Sequence, residues 1–383
     1  MNKENKKISI LIYSLAGGGA ERMVSYLLPY LLNKKIEVHL VLMNNTISYK
    51  IPKEITIHHL ENSKGDENGI LKLIKLPLLA YKYATLLKQF DIKYSFSLLT
   101  RPSYINILSR LFNKSKFRLV ISERSHPSMQ YGYDNMQSSI NNWLIKVLYP
   151  KTDKIICNSQ GNADDLQFNY GIPHSLLEVV HNPIDIEKIQ AISKLENFFD
   201  EEFFNIVTIG RMDVGKNHQL LLKAIVKNSS ARLYILGSGV LEEMLKNLAH
   251  ELKVSDRVFF LGFDSNPFQY LKGADLFAFG SNHEGFPNVL LEAMCCSLPI
   301  VSTNCPSGPS EILELKTVNE NKIMITDYGV LTPVGDLERF EEAISYCIQH
   351  PEFLVSCRVH MMNRIKDFRR EPILASYLQH IYQ

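Results

Sequence analysis

Two glutamates, Glu284 and Glu292, stand with seven residues between them in SNHEGFPNVLLEAMCCSLPIVST (281–303), around a proline placed to begin a helix. Pro287 suits a first helical position, where its missing N–H would have had no partner in any case. A helix starting there puts the amides of Asn288, Val289 and Leu290 at an unpaired, electropositive tip. Such a tip attracts an anion, so two flanking acids are electrostatically odd unless they grip hydroxyl groups. Glu284 precedes the helix beside whatever its tip binds, while Glu292 lies about one turn inside. A sugar on one side and a ribose on the other would satisfy both.

Two further turns carry chemistry. In GRMDVGKNHQLLLKA (210–224) a strand runs into a turn and then a helix, with Arg211 at the strand end and Lys216 five residues later. Ligands of open α/β sheets bind at such strand ends, and two cations suit a diphosphate that gains charge as its bond to a sugar breaks. The competing reading is surface cations near a helix end. In AGGGAERM (16–23), Gly17, Gly18 and Gly19 let backbone approach a ligand at a helix N-terminus. The competing reading there is a plain tight turn. The loop does not complete the GxGxxG dinucleotide pattern, and the second strand ends Met43-Asn44-Asn45 without an acid. NAD binding is therefore disfavoured.

The elements that must position these residues come in two series. ISILIYSL (8–15), EVHLVLM (37–43), TIHHL (56–60), YSFSLL (94–99), RLVIS (118–122) and KIICNS (154–159) read as strands separated by helix-length segments. The rhythm returns in FNIVTIG (204–210), RLYILG (232–237), RVFFLG (257–262), LFAFG (276–280), PIVST (299–303) and YGVLTP (328–333). Near-continuous apolar strands alternating with helices imply parallel sheets covered on both faces. The expected architecture is α/β: two doubly wound, Rossmann-like domains, 1–183 and 184–383, facing across a deep cleft. The tail helix, 366–383, is left free to pack on either domain.

A net charge of +2 conceals a division. Residues 1–183 carry 23 Lys+Arg against 14 Asp+Glu, and residues 184–383 carry 19 against 26, giving +9 and −7. A basic first half suggests an anionic surface as partner, the competing reading being a solvated face with none. The segment 70–90, ILKLIKLPLLAYKYATLLKQF, mixes Lys72, Lys75, Lys82 and Lys88 with Leu, Ile and Tyr. It reads either as a helix lying on an anionic membrane or as a core-facing helix with solvated lysines. The start of the chain runs as a strand into glycines rather than to a signal-peptide cleavage site. No stretch of about 20 uncharged apolar residues would span a bilayer. The six cysteines form no CxxC pair and no zinc-type spacing, which fits a reducing compartment and predicts no metal site. Basic–aromatic interleaving of the kind that grips single-stranded nucleic acid is absent.

The Glu-x7-Glu element, the GRMDVGKNH loop, the HNPID turn (181–185), CPSGPSEIL (305–313) and YGVLTPVGD (328–336) together resemble the retaining glycosyltransferases of family 4, with the GT-B fold. The likeness covers nearly the whole chain. It implies transfer of a hexose or N-acetylhexosamine from a nucleotide diphosphate sugar, with a UDP-sugar the first expectation and no metal or other cofactor. Arg211 and Lys216 resemble the pair that grips the donor diphosphate. Glu284 resembles the acid at the reaction centre, and Glu292 the acid that binds ribose. The backbone at Phe286–Leu290 would cradle phosphate and sugar, and Gly17–Gly19 would approach the donor from the other domain. His126, in SERSHPS (122–128) beside Glu123 and Arg124, resembles a histidine that touches the donor sugar. Domain closure would exclude water. The forms of SERSHPS and CPSGPSEIL look like those of O-antigen, capsule and related glycan enzymes. A lipid-diphosphate-linked glycan acceptor follows, with the enzyme cytoplasmic and peripheral at the inner face of the membrane. A GT-B-shaped sugar-nucleotide epimerase and a silent nucleotide-sugar-binding protein are the alternatives.

Overall fold

The computed structural model describes residues 6–62, 69–113, 115–319 and 321–383. The chain divides into two compact units, Met1–Pro183 with Arg370–Gln383, and Ile184–Arg369. Each is built on its own sheet and its own apolar core.

The strands of the first unit are β1 (Lys7–Ile12), β2 (Glu37–Leu42), β3 (Thr56–His59), β4 (Tyr94–Leu98), β5 (Arg118–Glu123), β6 (Lys154–Cys157) and β7 (Leu177–Val179). They hydrogen-bond in the order β3-β2-β1-β4-β5-β6-β7, all parallel. The second unit holds β8 (Phe204–Ile209), β9 (Ala231–Leu236), β10 (Val258–Gly262), β11 (Leu276–Phe279), β12 (Ile300–Thr303), β13 (Met324–Thr326) and β14 (Gly329–Thr332). Its order is β10-β9-β8-β11-β12-β14-β13, parallel except for β13. Central strands such as SILI in β1 and LFAF in β11 are buried throughout, as strands covered by helices on both faces must be. Both sheets are doubly wound, and each reverses its strand order once, between β1 and β4 and between β8 and β11.

The last helix, Arg370–Tyr382, belongs with the first unit. Arg118 donates to the carbonyls of His380 and Ile381 at 3.1 and 3.0 Å, satisfying the helix C-terminus. Tyr377 packs its ring on Phe96, and Tyr382 on Tyr94, with centroids 6.1 and 4.2 Å apart. The segment read as one interrupted helix over 70–90 is two helices, Gly69–Ile74 and Leu76–Gln89, broken at Lys75 with Pro77 in the first turn of the second. Leu76, Leu79, Tyr83 and Leu87 enter the core, and the buried Tyr83 hydroxyl bonds Ser9 and Ser95 at 2.9 and 2.6 Å.

Candidate functional site

The order reversal between β8 and β11 is where the second unit brings its candidate residues together. Flanking strands there send their connections in opposite directions, which opens a crevice at their carboxyl ends. The turn after β8 carries Arg211 to Lys216, and the turn after β11 carries Ser281 to Pro287. The two turns are tied to each other. Asn282 N donates to the Gly215 carbonyl at 2.8 Å, with Ser281 Oγ 3.0 Å from the same oxygen, Asn282 Nδ2 donates to Val214 O at 3.0 Å, and Asn217 Nδ2 donates to Asn282 Oδ1 at 3.1 Å. Asp213 shapes the first turn by accepting from Lys216 N at 3.1 Å. Asn217 takes a left-handed conformation, φ 46°, ahead of the helix His218–Ala224.

This framework delivers an ion pair. Lys216 Nζ contacts Glu284 Oε1, and Ser281 Oγ donates to the same oxygen at 2.6 Å. Both side chains keep partial solvent access, 22% for Lys216 and 12% for Glu284. The ammonium also lies 5.3 Å from the Phe279 ring centroid, a cation–π distance. Arg211 is deployed otherwise: its side chain is 82% exposed and sits 3.4 Å from Asp213. It shares the turn with Lys216, and among the described residues its ion pair is with Asp213 rather than Glu284.

The helix expected to begin at Pro287 begins one residue later, Asn288–Cys295, with Pro287 as its N-cap at ψ 105°. Leu290 corrects the expectation of three unpaired amides, because its N–H donates to the Pro287 carbonyl at 3.1 Å. Phe286 is buried with its ring 5.8 Å from Phe368, which anchors the turn, and Val289 is partly exposed. Glu292 is buried on the helix, 3% exposed. The CPSGPSEIL loop closes against the same turn: Gly308 has φ +96°, and a Cβ there would meet Pro287 Cδ and come within 3.1 Å of Phe286 Cα. Only glycine answers both demands. Beside the pair lies Cys305, whose thiol is pushed up by burial and by the Glu284 charge, so it stays protonated.

In the first unit, Gly17, Gly18 and Gly19 lie exposed after β1, at that sheet's own reversal point. Gly17 has φ +130°, and Gly18 caps the helix Gly19–Asn33 without any side-chain cap bond. The neighbouring turn after β4 contains Leu99 at φ 74°, a strained geometry for a branched side chain. His126 sits one strand further along, as N-cap of the helix Pro127–Gln130. Its Nδ1 lies 3.4 Å from Asp165 Oδ2 and 3.2 Å from Ser128 Oγ, and Ser128 N donates to that Asp165 oxygen at 2.9 Å.

Its neighbours in the sequence are held differently. Glu123 is buried and accepts from Tyr149 OH at 2.7 Å, Arg124 N at 2.9 Å and Ser125 Oγ at 3.0 Å. Burial holds its carboxyl above the usual range. Arg124 is buried too, donating to Tyr377 OH at 2.7 Å and Asn182 Oδ1 at 2.5 Å.

Residues 17–188 match the profile of Glycosyltransferase Family 4, and residues 190–361 that of Glycosyl transferases group 1. A Campylobacter jejuni protein, N-acetylgalactosamine-N,N'-diacetylbacillosaminyl-diphospho-undecaprenol 4-alpha-N-acetylgalactosaminyltransferase, is 46% identical over 377 residues, covering 98% of this chain and 99% of its own. The chain belongs to the family 4 glycosyltransferases. A lipopolysaccharide core biosynthesis glycosyltransferase of Rhizobium meliloti, LpsE, is 28% identical, covering 60% of this transferase and 64% of itself. Among solved structures, Anabaena HepE in complex with UDP and glucose superposes with a TM-score of 0.77 at 18% identity, covering 99% of this chain and all 100% of HepE. WaaG, involved in lipopolysaccharide biosynthesis, gives 0.75 at 12% identity, covering 98% and 99%. These two likenesses establish that the transferase has the GT-B fold.

The structure thus joins Lys216 to Glu284 and sets both near the Pro287 turn, while Arg211 stays apart in solvent. Sequence reading did not single out Ser281, Asp213 or Asp165. Ser281 had a signal, three residues before Glu284 at the end of a buried strand. Asp165 had none, since it reaches His126 across 39 positions of intervening chain.

Proposed function

We propose that this glycosyltransferase moves a hexose or N-acetylhexosamine, with retention of configuration and without a metal ion, from a UDP-sugar to a lipid-diphosphate-linked glycan of surface polysaccharide assembly. The observation that carries the donor half is the Lys216–Glu284 pair, set at the β8/β11 reversal beside the Asn288–Cys295 helix tip. In the absence of donor the lysine neutralises the glutamate. A diphosphate arriving at the helix tip competes for Lys216, and Glu284, still held by Ser281, is released to accept from sugar hydroxyls. Lys216 and the tip then stabilise charge on the departing phosphate. Arg211, exposed beside Asp213 in the same turn, adds a second cation from outside, and Glu292 serves the ribose. The Gly17–Gly19 turn and His126 are assigned to the donor sugar, with Asp165 and Ser128 fixing the imidazole.

The acceptor half draws on the 46% identical relative, whose name specifies a sugar chain on undecaprenyl diphosphate. An exposed stripe also favours a membrane partner. Leu71, Ile74, Leu78 and Tyr81, each more than half exposed, recur at helical spacing on the side away from the core, with Tyr81 edge-on to the exposed Phe112. Lysines interspersed with that stripe suit anionic headgroups. Among the described residues no helix is long and apolar enough to cross a membrane.

The test is a panel of nucleotide sugars, with and without undecaprenyl-diphosphate-linked glycan, read as nucleoside diphosphate release and product mass. Release that depends on the lipid-linked glycan supports the proposal. Conversion of a nucleotide sugar with no acceptor present would point to an epimerase, and no turnover of any donor to a silent binder.

A further inference from the structure

A polar cavity lies within the first unit, lined by residues that, Ser128 apart, have no role assigned so far. It has a volume of about 450 Å³ and is walled by Tyr131, Tyr133, Asp134, Asn142, Lys146 and Tyr170. These come from the turn after the helix Pro127–Gln130, the helix Met136–Leu148 and the end of the helix Gln160–Tyr170.

Its frame is already fixed by hydrogen bonds. Tyr170 OH donates to Asn142 Oδ1 at 2.7 Å, and Asn142 Nδ2 donates to the Tyr131 carbonyl at 3.0 Å. Lys146 lies 6.0 Å from the Tyr170 ring centroid. Burial pushes the Tyr131 phenol up to about 12 and that of Tyr170 higher still, so both remain neutral. Three groups on the wall keep capacity for further contacts: Tyr133 is 65% exposed, and neither Asp134 nor Lys146 joins an ion pair among the described residues.

The chemistry of these walls narrows the occupant. A diphosphate calls for several cations, whereas here one lysine is opposed by one aspartate. A lipid chain calls for an aliphatic wall, whereas here the lining is phenol, amide and charge. A pyranose offers an apolar face for a tyrosine ring and hydroxyls for a carboxylate and an ammonium. The volume falls within the roughly 300–1,000 Å³ of small-molecule sites.

The cavity is also wired to His126. Ser128, on its wall, lies 3.2 Å from His126 Nδ1, and Asn169, also on its wall, donates to Asp165 Oδ1 at 2.7 Å. The other oxygen of Asp165 is the one beside His126. One layer of side chains separates the cavity from the candidate catalytic histidine.

We propose that this cavity is a subsite for an internal sugar of the acceptor glycan, one or more rings removed from the reacting hydroxyl. The inference rests on the reading that the acceptor is a glycan, and two measurements on the full-length enzyme keep the two apart. Steady-state kinetics with UDP-N-acetylgalactosamine and undecaprenyl-diphosphate-linked disaccharide should give an acceptor KM raised about tenfold or more in Tyr133→Ala and in Lys146→Ala. Donor KM and the slow release of UDP to water should not move. Acceptor KM within twofold of wild type in both variants overturns the subsite. Saturation-transfer NMR with the free disaccharide, released from its lipid, should show binding to wild type that Tyr133→Ala abolishes. No saturation in wild type, or equal saturation in the variant, likewise overturns it. Binding by NMR in an enzyme that transfers no sugar would retain the subsite and sink the transferase reading of the acceptor.

Discussion

The turns after β5 and β8 look alike in sequence and are employed in opposite ways. SERSHPS and GRMDVGKNH each put charged residues at the carboxyl end of a parallel strand. After β5, Glu123 and Arg124 are buried and fitted with neutral partners, Tyr149, Ser125, Tyr377 and Asn182. After β8, Lys216 is paired with a single partly exposed carboxylate, and Arg211 is almost wholly in solvent. The first set holds elements together, with Arg124 reaching across the chain to the terminal helix. The second set keeps access to solvent, Arg211 almost fully and Lys216 and Glu284 in part. Position at a strand end marks where a ligand can bind, but exposure and the kind of partner decide which charges are available to one.

That difference is breakable by mutation. The largest effect is expected from Glu284→Gln and Lys216→Ala, each lowering transfer by about 10²–10³ while the melting temperature stays within about 3 °C of wild type. Matched turnover assays and thermal melts check this, and a collapse of the fold would place these residues with the structural set. Arg124→Ala should do the reverse. It leaves Asn182 and Tyr377 short of a buried donor, costing about 2–3 kcal/mol, while turnover per folded molecule stays within a few-fold. Urea unfolding beside activity at low temperature separates the two outcomes.

His218 sharpens the comparison from another side. It opens the helix after Lys216, is 3% exposed, and its buried Nδ1 has no hydrogen-bond partner among the described residues. Burial first, then the Lys216 charge, lowers its pKa to about 4. The unfolded chain therefore binds a proton that the folded one refuses, so stability is full above about pH 6.5 and falls as pH drops toward 4. The loss from this group is on the order of 3 kcal/mol. Unfolding measured across that window should show the slope, and His218→Phe should flatten it. The smallest effect belongs to Gly308→Ala, expected to cost about 1–2 kcal/mol and to weaken donor binding by displacing the Pro287 turn. Calorimetric titration with UDP checks it.

Much of this was legible beforehand because the central strands are continuous apolar runs bounded by turn residues. The two strands the sequence reading passed over, β7 (LEV) and β13 (MIT), are three-residue edge strands, each with only one buried residue. Too short to show a period, they are held by a neighbour rather than by their own pattern. The Glu-x7-Glu spacing pointed to the second-unit candidate site, since local chain alone sets Glu284 beside Pro287. Spacing could not reveal that Lys216 meets Glu284 while Arg211 does not, because that depends on the ties of Asn282 and Ser281 to Gly215 across the sheet. Nor could it assign Arg124, whose partners lie 58 and 253 positions away.

The central claim is that the Lys216–Glu284 pair opens to admit a donor. A crystal structure with a non-hydrolysable UDP-sugar tests it most directly. The expected result is a diphosphate oxygen about 3 Å from Lys216 Nζ, with Glu284 detached from the lysine and bonded to a sugar hydroxyl. A donor bound elsewhere, with that ion pair still closed, would contradict it.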